Sequence, residues 1–154
     1  MKSTNKCFLQ QTSIIRPVFF MLFTLAVNFT AKGQIHIGNI SHGAGGALLN
    51  GPRSVWVSGN YAYLASTGSS SLEIVDITDP AVPVHKGKLT HGTGGALLSY
   101  PTSVCVSGNY AYVTSFVGNG LEIVDISNPA APFHVGKITH GQGGALLDGA
   151  IAVF

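Results

Sequence analysis

Apolar residues in this chain gather in short runs separated by Gly, Pro, Asn and Ser, and no segment shows a sustained helical period with capping signals. Arg53 to Val57 and Tyr61 to Ser66 are two such runs, joined by Ser58-Gly59-Asn60, a short Gly/Asn turn that predicts a tight hairpin. Leu72 to Ile77 is a third run. The segment Thr78-Asp79-Pro80-Ala81-Val82-Pro83 then forces a turn, because proline fixes φ and removes a ladder donor, and Val84 to Leu89 makes a fourth strand. Val55 and Val57 alternate with Trp56, and Leu72 and Ile74 with Val75 and Ile77, so both faces of the sheet are apolar. A sheet with one wet face would alternate more cleanly, so these sheets are expected to be covered on both sides. The fold class is all-β.

The same pattern returns 49 residues later without an insertion. His42-Gly-Ala-Gly-Gly-Ala-Leu-Leu49 recurs as His91 to Leu98 and as His140 to Leu147, and Val57-Ser-Gly-Asn-Tyr-Ala-Tyr63 as Val106 to Tyr112. Residues 34–82 and 83–131 agree at 28 of 49 positions, which makes this a duplication, with a partial third copy over 132–154. A period of that length marks propeller blades or a solenoid, and four short antiparallel strands per unit favour a blade over a β-helix coil.

Leu-Glu-Ile-Val-Asp-Ile-(Thr/Ser)-(Asp/Asn)-Pro-Ala at 72–81 and 121–130, with Val-Ser-Gly-Asn-Tyr-Ala-Tyr upstream of each, resembles the LVIVD repeat family of bacterial and archaeal surface proteins. The likeness spans essentially all of 34–154. It implies a β-propeller on an exported or cell-surface protein; the family has no agreed activity and supplies no catalytic residues to carry over. Propellers close rings of about four to eight blades. Two and a half units therefore call either for further blades of the same chain, this one being a piece of a longer protein, or for other copies, and the end sheets are expected to expose apolar faces.

The N-terminus changes the electrostatic picture. Lys2, Lys6 and Arg16 precede the apolar run Val18 to Val27, and Ala31 and Gly33 stand at −3 and −1 of a cleavage point before Gln34, so residues 1–33 read as a signal peptide and the product as secreted or cell-surface. The run is shorter than the roughly 20 residues of a permanent span, and no insertion in the membrane is expected after cleavage. The remaining chain holds four cations (Arg53, Lys86, Lys88, Lys137) against six carboxylates, a net charge of −2 with no basic stripe, which argues against nucleic acid as a partner. Cys105 alone remains of the two cysteines, standing where the first unit has Trp56, and is expected to be a buried small apolar residue rather than half of a disulfide.

An up-and-down strand order puts the turns at 58–60 and 78–83 on one rim and the loops 66–71, 90–101 and 115–120 on the other. The second rim carries the residues that vary between units, so the ligand-binding candidates are Thr67, Ser69, Tyr100, Phe116 and Asn119, together with His42, His91 and His140 of the repeated His-Gly-x-Gly-Gly loops. Rotation could gather the three histidines around a metal, but no carboxylate stands near them in sequence and duplication alone explains one His per unit, so neither metal nor cofactor is expected. The same motif is similar to the oxyanion loop of lipase-like hydrolases, yet a Gly-x-Ser-x-Gly elbow is missing; glycines that allow φ > 0 in a turn explain it better. Asp76 and Asp125 end the third strand and are expected to accept turn amides. Glu73 and Glu122, mid-strand, are expected on a solvated outer position or hydrogen-bonded to a partner rather than in acid/base work. Tyr61, Tyr63, Tyr110 and Tyr112 are expected to pack between blades.

The leading expectation is a non-enzymatic scaffold that binds extracellular protein or glycan through the second rim. A fragment of a propeller-based extracellular hydrolase or lyase is the alternative, and a purely structural assembly of incomplete propellers a third; no catalytic residue is assigned.

Overall fold

A computed structural model describes residues 35–154; the expected signal peptide lies outside them. Two four-stranded antiparallel sheets follow one another along the chain, each a simple meander. The first holds β1 (Pro52–Ser58), β2 (Tyr61–Ser66), β3 (Ser71–Asp76) and β4 (Val84–Thr90); the second holds β5 (Pro101–Ser107), β6 (Tyr110–Ser115), β7 (Gly120–Asp125) and β8 (Phe133–Thr139). The ring is not closed. Each strand lies within a residue or two of its sequence expectation. The third ends one residue early, at Asp76, and the Ile77 N–H still bonds the Asn60 carbonyl in register at 2.8 Å, as Ile126 does with Asn109. Turns 58–60 and 77–83 therefore share one rim, and the Thr67–Ser70 turn and the 91–100 connection share the other, as the alternation required.

Register sorts every side chain onto one of two faces. Trp56, Tyr63 and Ile74 stand opposite one another across β1, β2 and β3, and Ala65, Leu72 and Leu89 lie on the same side; call this the leading face. Val55, Leu64, Glu73 and Lys88 form a row on the trailing face, as do Val57, Ala62, Val75 and His85. The buried cluster joins the leading face of the first sheet (Tyr63, Ala65, Leu72, Ile74, Leu89) to the trailing face of the second (Val104, Ala111, Val113, Val124), with Ala96 and Leu98 of the connection between them. The contact is thus head to tail, different surfaces meeting, which is the geometry of stacked propeller blades.

The two outer faces are left open, as the double-sided apolar pattern implied. Val55 is 58% exposed on the trailing face of the first blade, whereas its counterpart Val104 is 2% exposed in the contact. On the leading face of the second blade Tyr110 and Ile138 are exposed, and Cys105 is only partly buried, since no complete blade covers the face it shares. Cys105 is a free thiol.

Small residues permit the close approach. A Cβ on Gly87 of β4 would fall 2.3 Å from the Pro129 carbonyl oxygen in the proline turn of the next blade, and one on Gly38 would meet the Pro80 and Ala81 carbonyls at 2.5 Å. At Gly136, the same position in the second blade, nothing lies within 4 Å.

The last residues continue the pattern. The Val153 N–H bonds the Ser103 hydroxyl at 3.2 Å, as the Val104 N–H bonds that of Ser54 at 3.2 Å, so the start of the third copy sits on the second blade in the register by which the second sits on the first.

Candidate functional site

The rim opposite the proline turns is built from the His-Gly-x-Gly-Gly loops, and each loop is held from within. In the loop at 91–98, Gly92 adopts φ 84° and its N–H reaches the Ala96 carbonyl at 2.9 Å, while His91 Nδ1 accepts the Leu98 N–H at 3.1 Å. His42 and His140 accept from Leu49 and Leu147 at the same 3.1 Å. With Nδ1 an acceptor, the neutral ring carries its proton on Nε2. The three histidines serve three separate turns, and no group of three or more His, Cys, Asp or Glu side chains comes together among the described residues.

A second, blade-wide set of bonds holds each of the first two loops against the blade it leads into. Glu73 is fully buried; one carboxylate oxygen accepts the Leu48 N–H at 3.0 Å and the other bonds His85 Nδ1, while Lys88 Nζ donates to the Gly46 carbonyl at 2.9 Å. Glu122, Leu97, His134, Lys137 and Gly95 repeat the arrangement, with Leu97 N–H to Glu122 at 2.8 Å and Lys137 to Gly95 at 2.9 Å. Of the two places expected for these glutamates, the hydrogen-bonded one is what the structure shows. Both oxygens of each carboxylate have a partner, and both side chains are fully buried. In the third loop, which has no such glutamate among the described residues, the turn still forms, but Leu146 is 87% exposed where Leu97 is half-buried.

The remaining rim candidates divide into two groups. Thr67, Ser69 and Asn119 are spent on the scaffold: Thr67 Oγ1 donates to the Pro101 carbonyl at 2.6 Å, Ser69 Oγ accepts the Asn50 N–H at 3.2 Å, and Asn119 Oδ1 accepts the Gly149 N–H at 2.9 Å. Tyr100 and Phe116 are brought together instead, their ring centroids 6.1 Å apart at 54°, both substantially exposed. Arg53, not singled out from sequence, joins them through an Nη2 hydrogen bond to the Tyr100 hydroxyl at 3.0 Å. The signal that could have found it is its failure to repeat: the second unit has Thr102 there.

On the other rim, Asp76 accepts from the Thr78 N–H at 3.0 Å and the Thr78 hydroxyl at 2.6 Å, and Asp125 accepts from the Ser127 N–H at 2.8 Å. The Thr78 and Ser127 side chains, and then their amides, hold the two carboxyls below the ordinary range. Both residues are turn elements. Burial raises the Tyr63 hydroxyl above its ordinary value, with Tyr61 adding to it, in keeping with a place between blades.

The LVIVD repeat model matches residues 52–90 and 100–139, which together make up half of the chain. The chain belongs to the LVIVD repeat family. Each match begins at or just before the first strand of a blade and ends with the fourth, so one LVIVD repeat is one sheet of this structure. No curated protein matches the chain. The crystal structure of a functionally unknown protein from Desulfotomaculum acetoxidans is similar in fold, with a TM-score of 0.51 at 18% identity over 67% of this chain and 31% of that one. The LVIVD chain thus spans about a third of that protein.

Proposed function

We propose that this chain is part of a secreted or cell-surface β-propeller scaffold that binds extracellular protein or glycan through the rim formed by residues 66–71, 91–100 and 115–120. One observation carries the reading. The repeated glutamates and the Nδ1 atoms of the repeated rim histidines are bonded within the scaffold, whereas Tyr100 and Phe116, exposed and clustered on that rim, belong to the second blade alone. Rigid sheets that hold variable loops are suited to recognition. The open leading and trailing faces favour a ring completed by further blades of the same chain or by other copies, because an exposed surface of this kind needs a neighbour.

The test uses the exported protein on arrays of glycans and extracellular proteins, beside a variant in which loop 115–120 is replaced by the sequence of 66–71. Binding by the parent that the exchanged loop abolishes is the expected result. An empty array, or binding indifferent to the exchange, overturns the rim reading. N-terminal sequencing of protein recovered from the medium or cell surface should start at Gln34; a product retained in the cytoplasm with residues 1–33 intact overturns export.

A further inference from the structure

Duplication sorts residues by what they do. Whatever recurs in each unit at the same bonds is scaffold, so a site is sought where the repeat is broken and the breaks meet in space. Three breaks meet on the rim. Arg53 stands where the second unit has Thr102; Tyr100 stands where the other units have Gly51 and Gly149; Phe116 stands where the first has Thr67. We propose that Arg53, Tyr100 and Phe116 form a subsite for a carboxylate-bearing sugar, a hexuronate unit of an acidic polysaccharide. This rests on the rim reading above and gives it a ligand class.

Tyr100 holds φ +57°, the left-handed region that its counterparts Gly51 and Gly149 also occupy at φ +59° and +60°. Glycine reaches that conformation freely and a bulky aromatic residue rarely does, so a turn needed only for folding would keep glycine. The strain instead places a ring on the surface, 39% exposed, beside Phe116 at 44%. Phe116 in turn has an edge 3.4 Å from where a Cβ would stand on Gly149, so the small residue of the third unit leaves its ring room.

Arg53 completes the chemistry. Its guanidinium carbon lies 5.3 Å from the Tyr100 ring centroid, at the hydroxyl end of the ring, held by the single hydrogen bond to that hydroxyl. Among the described residues it makes no ion pair. Among the described residues four of its five guanidinium N–H donors have no partner, a planar fork of the geometry that receives a carboxylate by two parallel bonds. Exposed rings take the C–H face of a pyranose, and the fork beside them takes the acid. A neutral sugar leaves the fork unmatched. A peptide strand needs backbone partners, and the backbone here is already engaged: the Tyr100 and Ser99 carbonyls accept from the Phe116 and Gly118 N–H groups at 3.1 and 3.4 Å.

The repeat supplies variants that the fold already tolerates, namely Arg53→Thr, Tyr100→Gly and Phe116→Thr, each installing the residue found in another unit. Calorimetric titration with tetragalacturonate and with uncharged maltotetraose should show the acidic sugar binding about tenfold more tightly or better. Arg53→Thr should erase that preference, and Tyr100→Gly and Phe116→Thr should weaken both sugars, with thermal unfolding of all three close to the parent. Equal binding of the two sugars, retention of the preference by Arg53→Thr, or equal binding of tetraglutamate overturns the assignment. Binding of neither sugar overturns it too. Array ligands that are neutral or proteinaceous, and still lost on the 115–120 exchange, would then leave the rim reading standing.

Discussion

Glu122 accepts the backbone N–H of Leu97 at 2.8 Å across 25 residues of sequence, and this bond fixes the connection between the blades to the blade it enters. A buried donor deprived of its acceptor loses about 1–3 kcal/mol, more when the acceptor is charged. Glu122→Ala should therefore lower the unfolding free energy by about 3 kcal/mol in urea titration, and Glu122→Gln, which keeps an acceptor, should recover about half or more. Amide exchange gives a second measure within the same molecule. The Leu97 N–H should be protected, and that of Leu146, in the loop without the carboxylate, should exchange freely; equal rates at the two amides would sink this account.

Matched truncations test the head-to-tail packing. Ile74 is fully buried against the second blade, whereas its counterpart Ile123 lies on the open leading face. Ile74→Ala should cost about 3 kcal/mol by lost contacts and a residual cavity, and Ile123→Ala less than half of that. Similar losses at both sites would mean that the outer face is covered in solution.

Gly87 and Gly136 give the complementary experiment, in which atoms are added. Gly87→Ala drives a methyl into the Pro129 carbonyl and should destabilise by about 2 kcal/mol or more. Gly136→Ala meets nothing and should be neutral, or stabilising by about 0.5 kcal/mol through the unfolded chain. In a longer array of repeats, with a further proline turn against β8, the Gly136 substitution should become as costly as that at Gly87, as a melting comparison of the two lengths would reveal.

Acid sensitivity follows from Asp76 and Asp125. Hydrogen bonds to Thr78 and Ser127 lower both carboxyls in the folded state from the ordinary 3.8, so the unfolded chain takes up protons first as pH falls. Their stabilisation is complete above 3.8 and disappears as pH drops through the lower folded value. Urea midpoints measured between about pH 5 and pH 2 should decline less steeply in Asp76→Asn/Asp125→Asn than in the parent. Parallel profiles would count against the turn role.

Most of the architecture was legible because it is written in local signals. Ser58-Gly59-Asn60 and the proline turn mark strand ends directly, and the residues Val55 and Trp56 announce two covered faces. The glutamate and histidine contact was not legible, for a geometric reason. A regular ladder continuing from Glu73 opposite Lys88 and Ile74 opposite Gly87 would place Val75 opposite Lys86 and turn His85 to the other face. The register shift after Ile74 skips Lys86, sets Val75 against His85 and brings the ring onto the Glu73 side. The displaced Lys86 lies 3.7 Å from Asp76. The joint recurrence of Glu, His and Lys at 73, 85 and 88 and at 122, 134 and 137 was the available clue. Arg53 was not legible for a different reason: it lies in a strand rather than in a rim loop, and only the fold brings it beside Tyr100.

Because unlike surfaces meet wherever two units touch, every copy of the sequence carries both halves of its own joint. A duplicated unit would arrive with a partner surface already made, needing no compensating change in its neighbours. Lengthening such a protein is thus an easy step for a genome, and novelty is free to accumulate at a position like Tyr100 while the sister units keep the glycine that the turn prefers.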